Sequence, residues 1–381
     1  MAAALCLRVV ATAAVSLTGI GQELRGGDEI GFRAEAGAIS EAPFGSGAWA
    51  DALTGSLYKF VFAIQLGAVD SPELALRVTQ AAIAVAGLAL LAVAVYELVG
   101  PRAALISMWV LAFEPTNIFF STLLHKEANM ILASGLVAFG GAVIWRRSDL
   151  RAVAPIVLGC LIAVATRPYV GWFLIAAGAA TMLHAGLRAE HRGSARALSL
   201  VCIVILFAAV AAPTVLEAST DESLEANLQS SQDANVSDES NLKLEQVDFS
   251  SRSAILGSLP QRIRDVVFRP YPWQVDNPSQ RFGLLGTLVA LSVLVLLGRG
   301  LIRNRGEIMA RAGPLIYTGF FLLIAYSLSA GNAGTAFRYR THIVAVAACI
   351  AVALWHVRSQ RSSIRSSSSG RAEPSAQAVA A

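Results

Sequence analysis

Apolar residues in this chain gather into continuous runs, without the alternation of a half-buried strand. The runs are Leu5 to Gly21, Leu74 to Val99, Ala103 to Phe120, Asn129 to Trp145, Val153 to Thr166, Tyr169 to Leu187, Leu198 to Leu216, Phe282 to Leu297, Pro314 to Leu328 and Thr341 to Trp355. Each is close to the roughly 20 residues with which a helix crosses a bilayer. Together they predict an all-α, polytopic integral membrane bundle of about ten transmembrane helices. A membrane barrel would show short alternating segments instead.

Composition strengthens this reading. Hydrophobic residues make up 55% of the 381 and charged residues 15%, with a mean hydropathy of +0.59. A soluble domain carries roughly a quarter charged residues, so a soluble enzyme is excluded. The net charge of +4 is not gathered into one basic, aromatic-studded face, which argues against nucleic acid as a partner. Cys6, Cys160, Cys202 and Cys349 all fall inside apolar runs and predict neither a disulfide nor a zinc site.

Charge is instead partitioned between the two sides of the membrane. Arginines crowd the short turns at Arg146, Arg147 and Arg151, at Arg188, Arg192 and Arg196, and at Arg299, Arg303, Arg305 and Arg311. Arg102 and the tail residues Arg358, Arg361, Arg365 and Arg371 join them. These turns alternate consistently with the runs and sum to roughly +10, against a net negative opposite side, which assigns them to the cytoplasm. Both termini are then cytoplasmic, in a multi-pass plasma-membrane protein. The first run carries Arg8 and lacks a basic leader and an A-x-A site, so it reads as a retained span; a cleaved signal is the alternative. Either way Gln22 onward lies outside.

The organisation expected is a membrane domain over 1–216 with an outer loop at 22–73, a long outer loop at 217–281, membrane helices over 282–357, and a disordered cytoplasmic tail at 358–381. Within the first loop, Leu57 to Val69 reads as a helix lying in the interface. The second loop opens with an acidic, Ser/Asn-rich run to about Ser251, expected to be mobile. Its later part has an apolar stripe, Ile263, Val266, Val267 and Phe268, flanked by Arg262 and Arg269. That predicts a short helix over 259–273, stopped by Pro270 and Pro272. Neither an internal repeat nor the paired broken spans of an inverted-repeat transporter are found.

Four charged clusters share the outer side. Asp28 and Glu29 in RGGDEIGF form an acidic pair suited to a general base or a divalent cation, or else to a solvated turn. His125, Lys126 and Glu127 stand where a span must begin, after Glu114 and Pro115 interrupt the previous one; an interfacial snorkelling pair is the alternative. Arg167 occupies a very short turn before Pro168, as a phosphate fork or a topological anchor. Finally, Arg262, Arg264, Arg269, Arg338 and Arg340 accompany Tyr271, Trp273 and Tyr339. They suit an anionic lipid headgroup and a sugar ring, or pairing with the acidic loop beside an aromatic belt. No P-loop, HExxH, GxSxG or strand-following GxGxxG competes.

The order GDEIGF, GSLYKFVFAIQL, SPELALR, then GPRAALISMWVLAFEPTNIFFSTLLHKEANMIL resembles the amino-terminal half of the GT-C superfamily of membrane glycosyltransferases. It resembles especially bacterial members similar to family 39 protein mannosyltransferases and lipid A aminoarabinose transferases. FRPYPWQ and GTAFRYR resemble motifs of bacterial membrane proteins associated with surface polysaccharide synthesis. The resemblance implies a polyprenyl-phosphate-linked sugar donor and a glycan or lipid acceptor in the cell envelope. It implies Asp28 as base or metal contact with Glu29 beside it, and Glu127, or less well Glu114, as the second acidic position. Substrate contacts would come from His125, Lys126, Arg167, Arg269, Tyr271, Trp273, Arg338 and Arg340. A magnesium or manganese ion at Asp28 and Glu29 is compatible but not required, since guanidinium groups supply the same charge. The competing expectations are a polysaccharide polymerase or ligase acting on lipid-linked oligosaccharides, and a flippase or transporter of a lipid-linked sugar.

Overall fold

The computed structural model describes residues 1–18, 22–68, 72–188, 252–276, 278–330 and 333–369, and among these it is helical without strands. The helices are α1 (Ala2–Thr18), α2 (Gln22–Glu41), α3 (Gly47–Gly55), α4 (Leu57–Ala68), α5 (Pro72–Val99), α6 (Pro101–Phe113), α7 (Pro115–Phe120), α8 (Glu127–Arg147), α9 (Val153–Thr166), α10 (Pro168–Arg188), α11 (Arg252–Phe268), α12 (Pro278–Arg303), α13 (Ile308–Ser329) and α14 (Ala333–Ser369).

Among the described residues six helices are long and apolar enough to cross a membrane: α5, α8, α10, α12, α13 and α14. They coincide with six of the expected spans. Three more expected spans are shorter apolar helices, α1, α6 and the stretch Leu150–Thr166 that contains α9. The remaining one, 198–216, lies outside the described residues, as does the acidic run to Ser251.

The run Ala103 to Phe120 is two helices rather than one. Pro115 has no N–H to donate and disfavours helical backbone at Glu114. Glu114 therefore leaves the helix, and its carboxylate accepts from the N–H groups of Thr116 and Asn117, capping α7. At the other end of α6, Gly100 adopts φ 107°, which only glycine tolerates readily, and Pro101 opens the helix.

α8 and α14 are the most enclosed of the long helices, and α12 lies at the periphery. The main core joins Leu88, Leu91 and Val95 of α5, Val137 of α8, Ile156 of α9, Leu174 of α10, Leu322 of α13 and Val346 of α14. α5 and α8 approach through facing glycines: a Cβ on Gly135 would run into the carbonyl oxygen of Gly87. Small residues allow such backbone approach where lipid supplies no hydrophobic drive between helices.

Arg8 fastens α1 to this core from the middle of the helix. It is fully buried and donates to Asn117 Oδ1 at 2.9 Å, Ser121 Oγ at 3.1 Å and the carbonyls of Ala112 and Leu111 at 3.3 and 3.4 Å.

The first long loop holds three helices, α2, α3 and α4, where the sequence pointed to one interfacial helix at Leu57 to Val69. Phe32, Ala36 and Ile39 form one stripe of α2, which packs with Trp49 of α3 and with Tyr58 and Phe62 of α4 into a small core over Leu76 and Leu124. α4 is thus half of a cap, with Ile64 left on its exposed side. Lys126 reaches into the cap, 4.9 Å from the Tyr58 ring centroid and 5.4 Å from that of Phe32.

In the second loop, α11 begins at Arg252, earlier than the stripe implied, and ends at Phe268 before Pro270. Val266 and Val267 are its buried apolar positions, Arg262 and Asp265 are buried beside them, and Arg269 follows. α14 continues to Ser369, so the backbone of 358–369, expected as irregular tail, is helical; no Gly or Pro interrupts it before Gly370.

Candidate active site

α8 runs for 21 residues from Glu127 to Arg147, which separates its two ends by about 30 Å. The starts of α8 and α10 and the end of α9 share one pole of the bundle. Arg146, Arg147 and Arg188 stand at the other.

At the Glu127 pole the chain brings together residues from four elements. Arg167, in the turn between α9 and α10, donates from Nη2 to Glu127 Oε1 at 2.7 Å, and both side chains are buried. His125 Nδ1 lies 3.9 Å from Glu127 Oε2. His342 of α14 sets Nε2 against the Glu127 carbonyl at 3.1 Å, an arrangement that requires the proton on Nε2. Arg338, one helical turn before His342 on the same face, adds its charge to those acting on the Glu127 carboxylate.

Tyrosines wall the cluster. The Arg167 guanidinium lies 4.4 Å from the Tyr339 ring centroid, and the Tyr339 hydroxyl is 2.9 Å from that of Tyr169. Tyr326 stacks on Tyr339 at 4.6 Å and on His342 at 5.3 Å. Glu127 Oε2, Arg167 Nη1 and His342 Nδ1 are buried without a hydrogen-bond partner among the described residues. Buried polar atoms are normally satisfied, so open valences on three adjacent groups mark a place for water or a polar ligand.

The other expected site residues divide into separate roles. Glu29 is turned to Arg77, itself fully buried and held also by Glu73 and the Thr122 carbonyl. Glu29 accepts as well from the Leu124 N–H at 3.4 Å, which ties α2 to the turn leading into Glu127. The Arg77 guanidinium therefore stands where a divalent cation would sit at Glu29. Among the described residues no group of three His, Cys, Asp or Glu side chains is arranged to hold a metal ion. The backbone of Asp28 lies in α2 beside Glu29, and its side chain is outside the described set.

The five arginines expected to act together do not converge. Arg338 alone among them acts by its charge on the Glu127 carboxylate. Arg340, fully buried two residues further on, turns the opposite way. Its Nη1 donates to the carbonyls of Val267 and Arg269 at 3.0 and 2.7 Å, and its Nη2 to the Gly283 carbonyl at 2.9 Å. It joins α11, α12 and α14. Arg262 donates to the Ala330 carbonyl at 2.8 Å. Arg264 and Arg269 both approach Asp265 Oδ1, at 3.2 and 3.3 Å, and the Tyr271 hydroxyl donates to the same oxygen. Tyr271 stacks on Trp273 at 5.0 Å, and Trp273 is 78% exposed.

Sequence reasoning passed over Arg77, Tyr169, Tyr326 and His342. His342 had a signal, since it falls three and four residues after Tyr339 and Arg338, on one helix face. Arg77 had a weaker one, four residues after Glu73 in SPELALR. Cys6, Cys160 and Cys349 are free thiols, and Cys202 lies outside the described residues.

Comparison of the chain with protein-family models, with curated proteins and with solved structures gave no match. The geometry is what a functional reading must rest on.

Proposed function

We propose that this chain is an integral-membrane glycosyltransferase of GT-C type that moves a sugar from a polyprenyl phosphate to an acceptor hydroxyl at the Glu127 pole, on the extracytoplasmic side of the plasma membrane. The observation that carries this reading is the buried Glu127–Arg167 pair with unfilled polar valences, ringed by His125, His342, Tyr339 and the charge of Arg338. A buried ionisable cluster in a membrane bundle is costly, and sites of that kind are where substrates and protons are handled.

In the transfer, a bond forms from the acceptor oxygen to the anomeric carbon while the bond from that carbon to the phosphate oxygen breaks. The electron pair leaves with the polyprenyl phosphate, and the acceptor proton passes to a carboxylate. Asp28 is the base in this reading, because α2 is fixed through Glu29 to the turn that precedes Glu127. Arg338 and Arg167 supply positive charge for the departing phosphate, and the tyrosine wall gives the sugar ring an aromatic face. Glu127 keeps Arg167 and His342 in place and offers Oε2 to a substrate hydroxyl.

The test is Asp28→Asn in reconstituted protein. Transfer should fall at least ~100-fold, as loss of a general base does, while a polyprenyl-phosphate sugar still binds. Unchanged single-sugar transfer would overturn this assignment, and joining of lipid-linked oligosaccharides by the same variant would mark a polymerase.

A further inference from the structure

The opposite pole of the bundle holds a second site. A cleft of about 350 Å³ opens between the ends of α5, α8 and α10 and the start of α13, lined by Leu98, Arg146, Arg188, Glu307, Ala310 and Arg311. We propose that this cleft binds the phosphate of an anionic phospholipid headgroup.

Three guanidinium groups face one carboxylate. Glu307 is taken by Arg311, Nε to Oε2 at 3.0 Å. Arg146 and Arg188 have no acidic partner among the described residues. Their neighbour Arg147 shows the difference: it is committed to Glu97 through two bonds of 2.9 and 2.7 Å and does not line the cleft. Two forks with no acidic partner among the described residues, around one cavity, suit a tetrahedral anion, which accepts paired N–H donors.

The wall behind them is fixed. Trp145 donates from Nε1 to the Ala310 carbonyl at 2.9 Å and meets the His184 ring edge-on. His184 in turn bonds the Tyr317 hydroxyl at 2.8 Å. The Arg188 guanidinium rests 4.9 Å from the Trp145 ring centroid, so its position is set before any anion arrives. The first turn of α13, where Ala310 sits, adds the positive end of a helix dipole.

A lipid source follows from the flank. Leu183 and Leu187, in the last turns of α10 below Arg188, are both exposed, an apolar surface along which an acyl chain can lie. Arginine pockets between membrane helices, at the side that positive turns assign to the cytoplasm, take lipid phosphates for this reason.

The test uses the full chain in mixed phosphatidylcholine and phosphatidylglycerol micelles, reading retained lipid by native mass spectrometry. Wild type should retain phosphatidylglycerol over phosphatidylcholine, and R146Q/R188Q should lose that preference at least tenfold. R102Q/R151Q, which removes equal charge from exposed positions outside the cleft, should leave it unchanged. R146Q alone, whose side chain has no bonded partner among the described residues, guards against a folding defect and should weaken retention in part. Excess inorganic phosphate separates the sources: if it displaces the lipid completely, the site takes phosphate of either origin, and if it does not, the acyl flank contributes. Equal retention by R146Q/R188Q and wild type, or no preference in wild type, would overturn the proposal.

Discussion

Glu127 and Arg167 are 40 residues apart in the chain and 2.7 Å apart in the bundle, with both side chains buried. The pair joins the start of α8 to the turn between α9 and α10. Removing one member leaves an uncompensated buried charge, so Glu127→Gln or Arg167→Gln should each destabilise the protein by about 3–5 kcal/mol. The double Gln variant should regain much of that stability without regaining transfer. Thermal unfolding in detergent, set beside a transfer assay, separates the two effects.

Arg338 and Arg340 should behave as unlike residues although they are two apart. Arg340→Gln strips donors from the carbonyls that join α11, α12 and α14, and should cost about 2–3 kcal/mol for buried acceptors left unmet. Arg338→Gln should leave melting nearly unchanged and weaken a polyprenyl-phosphate ligand about tenfold or more, as loss of a charge-assisted contact to phosphate does. Donor binding by equilibrium dialysis and melting temperature should therefore move in opposite variants.

The facing glycines of α5 and α8 predict a size limit. Gly135→Leu must push the two helices apart against the Gly87 carbonyl and should cost at least about 1–3 kcal/mol. Gly31→Ala in α2 adds its methyl to open space and should be neutral or stabilising by roughly 0.5 kcal/mol, because alanine has less backbone freedom to lose. Urea or thermal unfolding of the two variants measures this contrast.

Much of the bundle was legible because a bilayer demands long apolar runs, and the helices over Leu74 to Val99 and Asn129 to Trp145 are long and apolar enough to meet that demand. The cap over the Glu127 pole was hidden for the converse reason. α2 interleaves Phe32, Ala36 and Ile39 with charges, and its value lies in packing on α4 and Leu124, which composition does not announce. The site was half legible. His125, Glu127 and Arg167 stood out as charges at the ends of apolar runs, and the two-residue spacing of Arg338 and Arg340 on a helix already sends them to opposite faces, but nothing in the order of residues told which of the two faces Glu127. Likewise, Glu29 meets a buried arginine 48 positions away, and pairings at that distance are fixed by folding, not by local pattern.

Arg8 carries a consequence for how this protein is made. Apart from the Ala4 carbonyl one turn away, its partners lie 103 to 113 residues further along the chain. At roughly 5–20 residues per second, a ribosome needs several seconds or more to deliver them. During that interval α1 holds an arginine at its centre, at an insertion penalty of about 2.5–3.5 kcal/mol. α1 is thus a helix whose seating against the bundle is conditional on a later segment, and it settles only after that segment has been made. A nascent chain arrested before Leu111 should leave α1 in the translocon or at the lipid surface, and one released after Ser121 should have it seated.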